Sequence, residues 1–157
     1  MRGGAWAALT LALMVATNGA AAPPATMDAK GVDEWRQANI QAEGGWVLMH
    51  ADGAALTYAG GPNGVTADKD GFRHVDVRRE YYKPVRLGPQ PSRSNLQSWV
   101  VDCELKRLRI TGMNFYAQNN MKGNGFRKSA DEAGWAPVEA SDMALVDRIC
   151  AAAPKSQ

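Results

Sequence analysis

The stretch Gln97-Ser98-Trp99-Val100-Val101-Asp102-Cys103-Glu104-Leu105 alternates with the period of a half-buried β-strand. Trp99, Val101, Cys103 and Leu105 fall on one face and Ser98, Asp102 and Glu104 on the other, with Val100 among them. The first set is expected to face a core. Near the C-terminus, Leu145, Val146, Ile149 and Cys150 recur at helical spacing behind Ser141, a good N-cap residue, and Asp142, a first-turn acid. Pro154 stops that helix. The chain has two cysteines, 47 positions apart, one on the inward face of a strand and one on the inward stripe of a helix. A Cys103–Cys150 disulfide would tie the helix onto the sheet, and closing such a loop stabilises by roughly 4 kcal/mol in the chain-entropy model.

An oxidising compartment favours that bond, and the N-terminus supplies the route to one. Met1 and Arg2 precede an apolar run, Ala5 to Ala16, broken only by Thr10, and small residues follow at Asn18 to Ala22. This order predicts a signal peptide over 1–21, cut after Ala20 or Ala21, because Pro23 disfavours cleavage directly before itself. The apolar core is too short to span a bilayer, and no second run of 18 apolar residues follows, so no transmembrane segment is expected in the mature chain. No cysteine lies near the cut, which argues against a lipoprotein and for a periplasmic or secreted protein.

With 157 residues, 45% of them hydrophobic and 22% charged, the chain has room for one ordinary domain and is too apolar to be disordered. Residues 22–43 read as a leader with a short helix around Gly31 to Ala42, and 44–153 as the domain. Expected strands are Trp46 to Met49, Ala55 to Tyr58, Phe72 to Val85, Gln97 to Leu105 and Leu108 to Tyr116, with short additions at Phe126 to Lys128 and Trp135 to Val138. Turns are expected at Gly60 to Gly64, Asp68 to Gly71 and Asn119 to Gly125. The fold class is therefore α+β: a single antiparallel sheet of about six strands with a disulfide-held C-terminal helix packed on it.

The chemistry of common sites is missing from the sequence. His50 and His74 lack partners at metal-ligand spacing, so no metal is expected. No G-x-S-x-G elbow surrounds a serine. Gly123 and Gly125 have no third glycine and read as a turn, so no nucleotide cofactor is expected. The Asp68-Lys69-Asp70-Gly71 stretch fails as a calcium loop, whose last position would be Val77. No cofactor and no catalytic residue is assigned. Lys plus Arg number 18 against 16 Asp plus Glu, and that balance points to no nucleic-acid partner.

The charge is unevenly spread. From Asp28 to Phe72 there are 3 basic and 7 acidic residues; from Arg73 to Arg109 there are 9 basic and 4 acidic. The basic stretch holds the candidate binding residues Arg78, Arg79, Tyr81, Tyr82, Lys83, Arg107 and Arg109, with Arg86, Arg93 and Lys106 beside them. Arginine and tyrosine are common at binding hot spots because they combine contact area with directional hydrogen bonds. Strand alternation sends Arg78 and Arg79 to opposite faces, so only a subset can cluster.

In order along the chain come Trp46-Val47-Leu48, Ala55 to Tyr58, Val75-Asp76-Val77, a Ser/Pro loop, Val101-Asp102-Cys103 with Lys106 to Arg109, Phe115-Tyr116, the glycine turn, Trp135-Ala136-Pro137-Val138, and a helix ending at Cys150. This layout resembles the surface-adhesin protein E family of exported bacterial proteins. The resemblance implies an antiparallel sheet of about six strands with a disulfide-tied helix, and adhesion to host matrix and plasma proteins. It brings no catalytic residues. The expectation is an exported, non-enzymatic binding domain for a protein or an anionic polymer. The alternatives are a small periplasmic enzyme or enzyme inhibitor with a loop-built site, and a structural envelope protein.

Overall fold

The computed structural model describes residues 21–129 and 134–155. The expected signal peptide lies outside the described residues apart from Ala21. In chain order the elements are α1 (Ala29–Asn39), β1 (Trp46–Ala51), β2 (Ala55–Gly60), β3 (Thr66–Ala67), β4 (Arg73–Arg86), β5 (Pro91–Asp102), β6 (Arg107–Gln118), β7 (Lys122–Ser129), β8 (Ala136–Pro137) and α2 (Met143–Ala151). The strands form one antiparallel sheet of order β1-β2-β4-β5-β6-β7, with the two-residue β3 beside β4 and β8 beside β6.

Both faces of the sheet are covered. On one, Val75, Val77, Trp99 and Val101 pack with Val138 and with Leu145, Val146 and Ile149 of α2. Alternation turns Tyr82 the other way, where it joins Leu56, Tyr58 and Trp35 of α1 in a second apolar cluster. Trp35 meets Tyr82 edge-on, with ring centroids 5.0 Å apart. Asp28 caps α1 by accepting from the Gly31 amide at 2.8 Å. The Cys103–Cys150 disulfide bridges Cα atoms 5.7 Å apart and ties α2 to the end of β5.

Several elements differ from the sequence reading. β5 ends at Asp102, and Leu105 is 61% exposed in the β5–β6 turn. The cause is Asp102, whose Oδ1 accepts from the amides of Glu104 and Leu105 and bends the chain back. Ser141 does not cap α2: the N-cap is Asp142, whose carboxylate is bound by Arg79 at 2.7 Å instead of by the helix amides. β5 starts at Pro91, six residues before the clear alternation, and Gly123 and Gly125 lie inside β7 because Tyr116 pairs with Gly125 and Gln118 with Lys122.

Candidate functional site

The basic stretch divides between the two faces and the two ends of the sheet. Arg78 turns to the α1 face and is buried. Its Nε donates to Glu80 Oε1 at 2.6 Å, Nη1 to the Gln41 carbonyl at 2.9 Å and Nη2 to Asn120 Oδ1 at 3.0 Å. The rings of Tyr58 and Trp46 flank it at 5.6 and 5.7 Å. Burial pushes the Glu80 carboxyl above its ordinary value, while Arg78 and the bonds from Asn119 and Asn120 act the other way. Arg93 is also buried and donates to the Ala21 carbonyl at 2.6 Å. Tyr81 is buried against Asn95, whose Nδ2 donates to its hydroxyl at 3.1 Å. Tyr82 is sealed under Trp35, and burial pushes its phenol up to about 12. These four side chains hold the fold together and present no surface.

Arg79 takes the opposite face from Arg78 and pairs with Asp142. Lys83 and Arg86 are exposed at the β4 end nearest the β4–β5 turn. Lys106 pairs with Asp147 of α2 at 2.6 Å.

Arg107 and Arg109 are brought together. They stand two residues apart on β6, so their side chains share a face. The Trp135 ring lies across both guanidinium groups, at 4.8 Å from Arg107 and 5.3 Å from Arg109. Phe72 meets Trp135 with ring centroids 5.0 Å apart in a tilted arrangement. Asp102 fixes Arg107 through Nε at 2.9 Å, and the Leu105 amide, foremost, with Arg107 and the Glu104 amide, holds the Asp102 carboxyl below its ordinary value. This is a pre-set platform of two arginines and two aromatic rings. Trp135, expected in a short strand and in the Trp135-Ala136-Pro137-Val138 motif, is not among the candidate binding residues, because nothing in the sequence shows that its ring reaches Arg107 and Arg109.

Serine, imidazole and carboxylate do occur near one another on this face, but in two separate pairs. Ser98 donates to Asp76 at 2.8 Å, whereas His74 Nε2 is engaged with Asp68 Oδ2 at 2.9 Å. A serine activated by histidine needs its hydroxyl on the imidazole, and here Ser98 and His74 each have a carboxylate of their own. Among the described residues no cluster of three His, Cys, Asp or Glu could hold a metal ion, and no helix is long and apolar enough to cross a membrane.

A model of the surface-adhesin protein E family matches residues 46–151. No curated protein matches the chain. Among solved structures, Haemophilus influenzae protein E in its crystal form II superposes with a TM-score of 0.54 at 15% identity, over 71% of this chain and 91% of that one. A structure of protein E from non-typeable Haemophilus influenzae gives 0.53 at 15% identity, over 85% of this chain and 83% of that one. At that identity the superposition shows a shared fold. The family match spans both cysteines and every strand from β1 to β8. This chain belongs to the surface-adhesin protein E family, an exported, adhesin-like group.

Proposed function

We propose that this protein is a non-enzymatic binding domain that takes an anionic partner, the acidic surface of a matrix protein or an anionic polymer, on the Arg107–Arg109–Trp135 platform. One observation carries the reading: two arginines on one strand face lie under a single tryptophan, held before any partner arrives. Arginine and tryptophan so arranged offer apolar contact and forked donors at little further ordering cost. The β6–β7 hairpin that carries the platform is basic along its length, while Asp102 is paired with Arg107. From Leu105 to Ser129 there are six basic residues and no acidic one. Lys122, Arg127 and Lys128 of this stretch are exposed on the β7 edge. Membership in the adhesin family supports binding over catalysis, and the separate Ser98–Asp76 and His74–Asp68 pairs support it too.

The test is retention of the mature protein on immobilised heparin and on matrix proteins across a salt gradient, with Arg107→Glu and Arg109→Glu beside the wild type. Retention should fall as salt rises, because exposed charges are screened over about 8–10 Å at ordinary ionic strength. Each reversal should lower the eluting salt concentration. Retention indifferent to salt and to both reversals would remove the platform from the function.

A further inference from the structure

We propose that the polar groove in the middle of the α1-side sheet face binds a saccharide, an uncharged ligand dense in hydroxyl groups. On this face α1 covers the end carrying Arg78, Glu80 and Tyr82, and Trp135 covers the end carrying Arg107 and Arg109. Between these covers lies the row Asp76–Ser98–Gly112, set by the pairing of β4, β5 and β6, and next to it the row His74–Val100–Arg109. Above them opens a groove of about 430 Å³, whose side-chain lining includes Asn63, His74, Asp76, Ser98, Thr111 and Lys155.

Three features select the ligand. The groove sits over central strands: Asp76 pairs with Gly60 on one side and Ser98 on the other, and Ser98 pairs onward with Gly112. Their backbone groups are taken up by the sheet, so an extended peptide has no edge to join there and recognition falls to side chains. Second, the lining mixes donors and acceptors. Asp76 accepts from Ser98 and retains further lone pairs, Thr111 donates to the Ser98 carbonyl and keeps its acceptor capacity, and Asn63 offers both kinds of group. A sugar hydroxyl is itself donor and acceptor, and several on one ring suit such a row. Third, the one carboxylate lining the groove, Asp76, is matched by the one ammonium, Lys155, so the lining favours a neutral guest. Gly112 leaves room at the end of the row: a Cβ built there meets nothing within 4 Å.

The site adjoins the basic platform without depending on it, and the two can fail separately. The experiment is titration of the ¹⁵N-labelled mature protein with neutral chitotetraose and maltotetraose at millimolar concentrations, followed by amide shifts. Shifts should concentrate at Asp76, Ser98, Thr111 and Gly112 for at least one sugar. Gly112→Val fills the open end of the row with a residue that suits a strand, and Ser98→Ala removes a hydroxyl while keeping the strand. Each should weaken binding by about tenfold or more, equivalent to 1.4 kcal/mol, while salt-dependent heparin retention stays at the wild-type level. Absence of shifts with both sugars, shifts centred elsewhere, or binding that survives both variants would overturn the proposal.

Discussion

Arg78 and Glu80 form an ion pair at 2.6 Å with both side chains sealed from water, at 2% and 0% exposure. The pair is enclosed on the α1 side by Gln41, Asn119 and Asn120, which hydrogen-bond to its two charged groups. A buried pair whose partner is removed leaves an uncompensated charge, and the loss is typically ~3–5 kcal/mol.

Arg78→Leu is therefore expected to destabilise by about that amount, measured by urea denaturation. The pH dependence has a definite sign. Burial holds the Glu80 carboxyl above its ordinary 4.5, so its stabilising contribution is complete below that value and is lost as pH rises through the folded-state value. Without Arg78 the carboxyl rises further. The variant should then sit closest to wild type in mildly acidic solution and fall behind it toward neutrality. A gap that is constant with pH would contradict the account.

Cys150→Ser is expected to weaken the fold by roughly 2–5 kcal/mol, because the reduced chain loses the closure of a 47-residue separation. Ile149 and Val146 beside it are fully buried, so amide exchange should accelerate first in α2. Equal denaturation midpoints for oxidised and reduced protein would refute it.

The disulfide, the sheet and the helix were legible because two independent periodicities and an even cysteine count agreed. The edges of elements were not. Asp102 reads as a solvent-facing strand residue, and only its capping bonds to Glu104 and Leu105 reveal a turn. Arg78 and Tyr82 went into the core because the α1 face of the sheet is covered by a segment that reads as a leader, and Tyr81, on the opposite face, is buried against Asn95. In sequence, Arg78 and Arg109 look alike; what distinguishes them is the Asn39 to Gln41 segment and Asn120 closing over one and Trp135 lying open across the other.

Gly125→Ala is expected to cost ~1–3 kcal/mol although the position is exposed. A Cβ there would stand 2.1 Å from the Phe115 carbonyl oxygen, a backbone atom of β6 that cannot rotate away. β7 would have to lift from β6 and loosen the Phe115–Phe126 stack, now at 4.6 Å. Gly53→Ala, with nothing within 4 Å, is the control. Equal midpoints for the two variants would show that β7 tolerates the side chain.

Trp35→Ala tests whether the N-terminal segment belongs to the folded unit. Trp35 stands on α1, outside the residues matched by the family model, yet it is buried and packs edge-on against Tyr82 of β4. Its Nε1 donates to the Ala22 carbonyl at 2.5 Å, and Arg93 holds the neighbouring Ala21 carbonyl, so the same indole also anchors the chain that leads into α1. Truncating a buried tryptophan leaves a cavity and costs ~3–5 kcal/mol where the site does not collapse. Here the loss extends to Leu56, Tyr58 and Tyr82, whose apolar cover α1 provides. The expected result is a large fall in stability within a single cooperative transition, with Tyr82 opened to solvent. A drop under about 1 kcal/mol, the scale of an ordinary surface change, would mean that the sheet and α2 stand without α1.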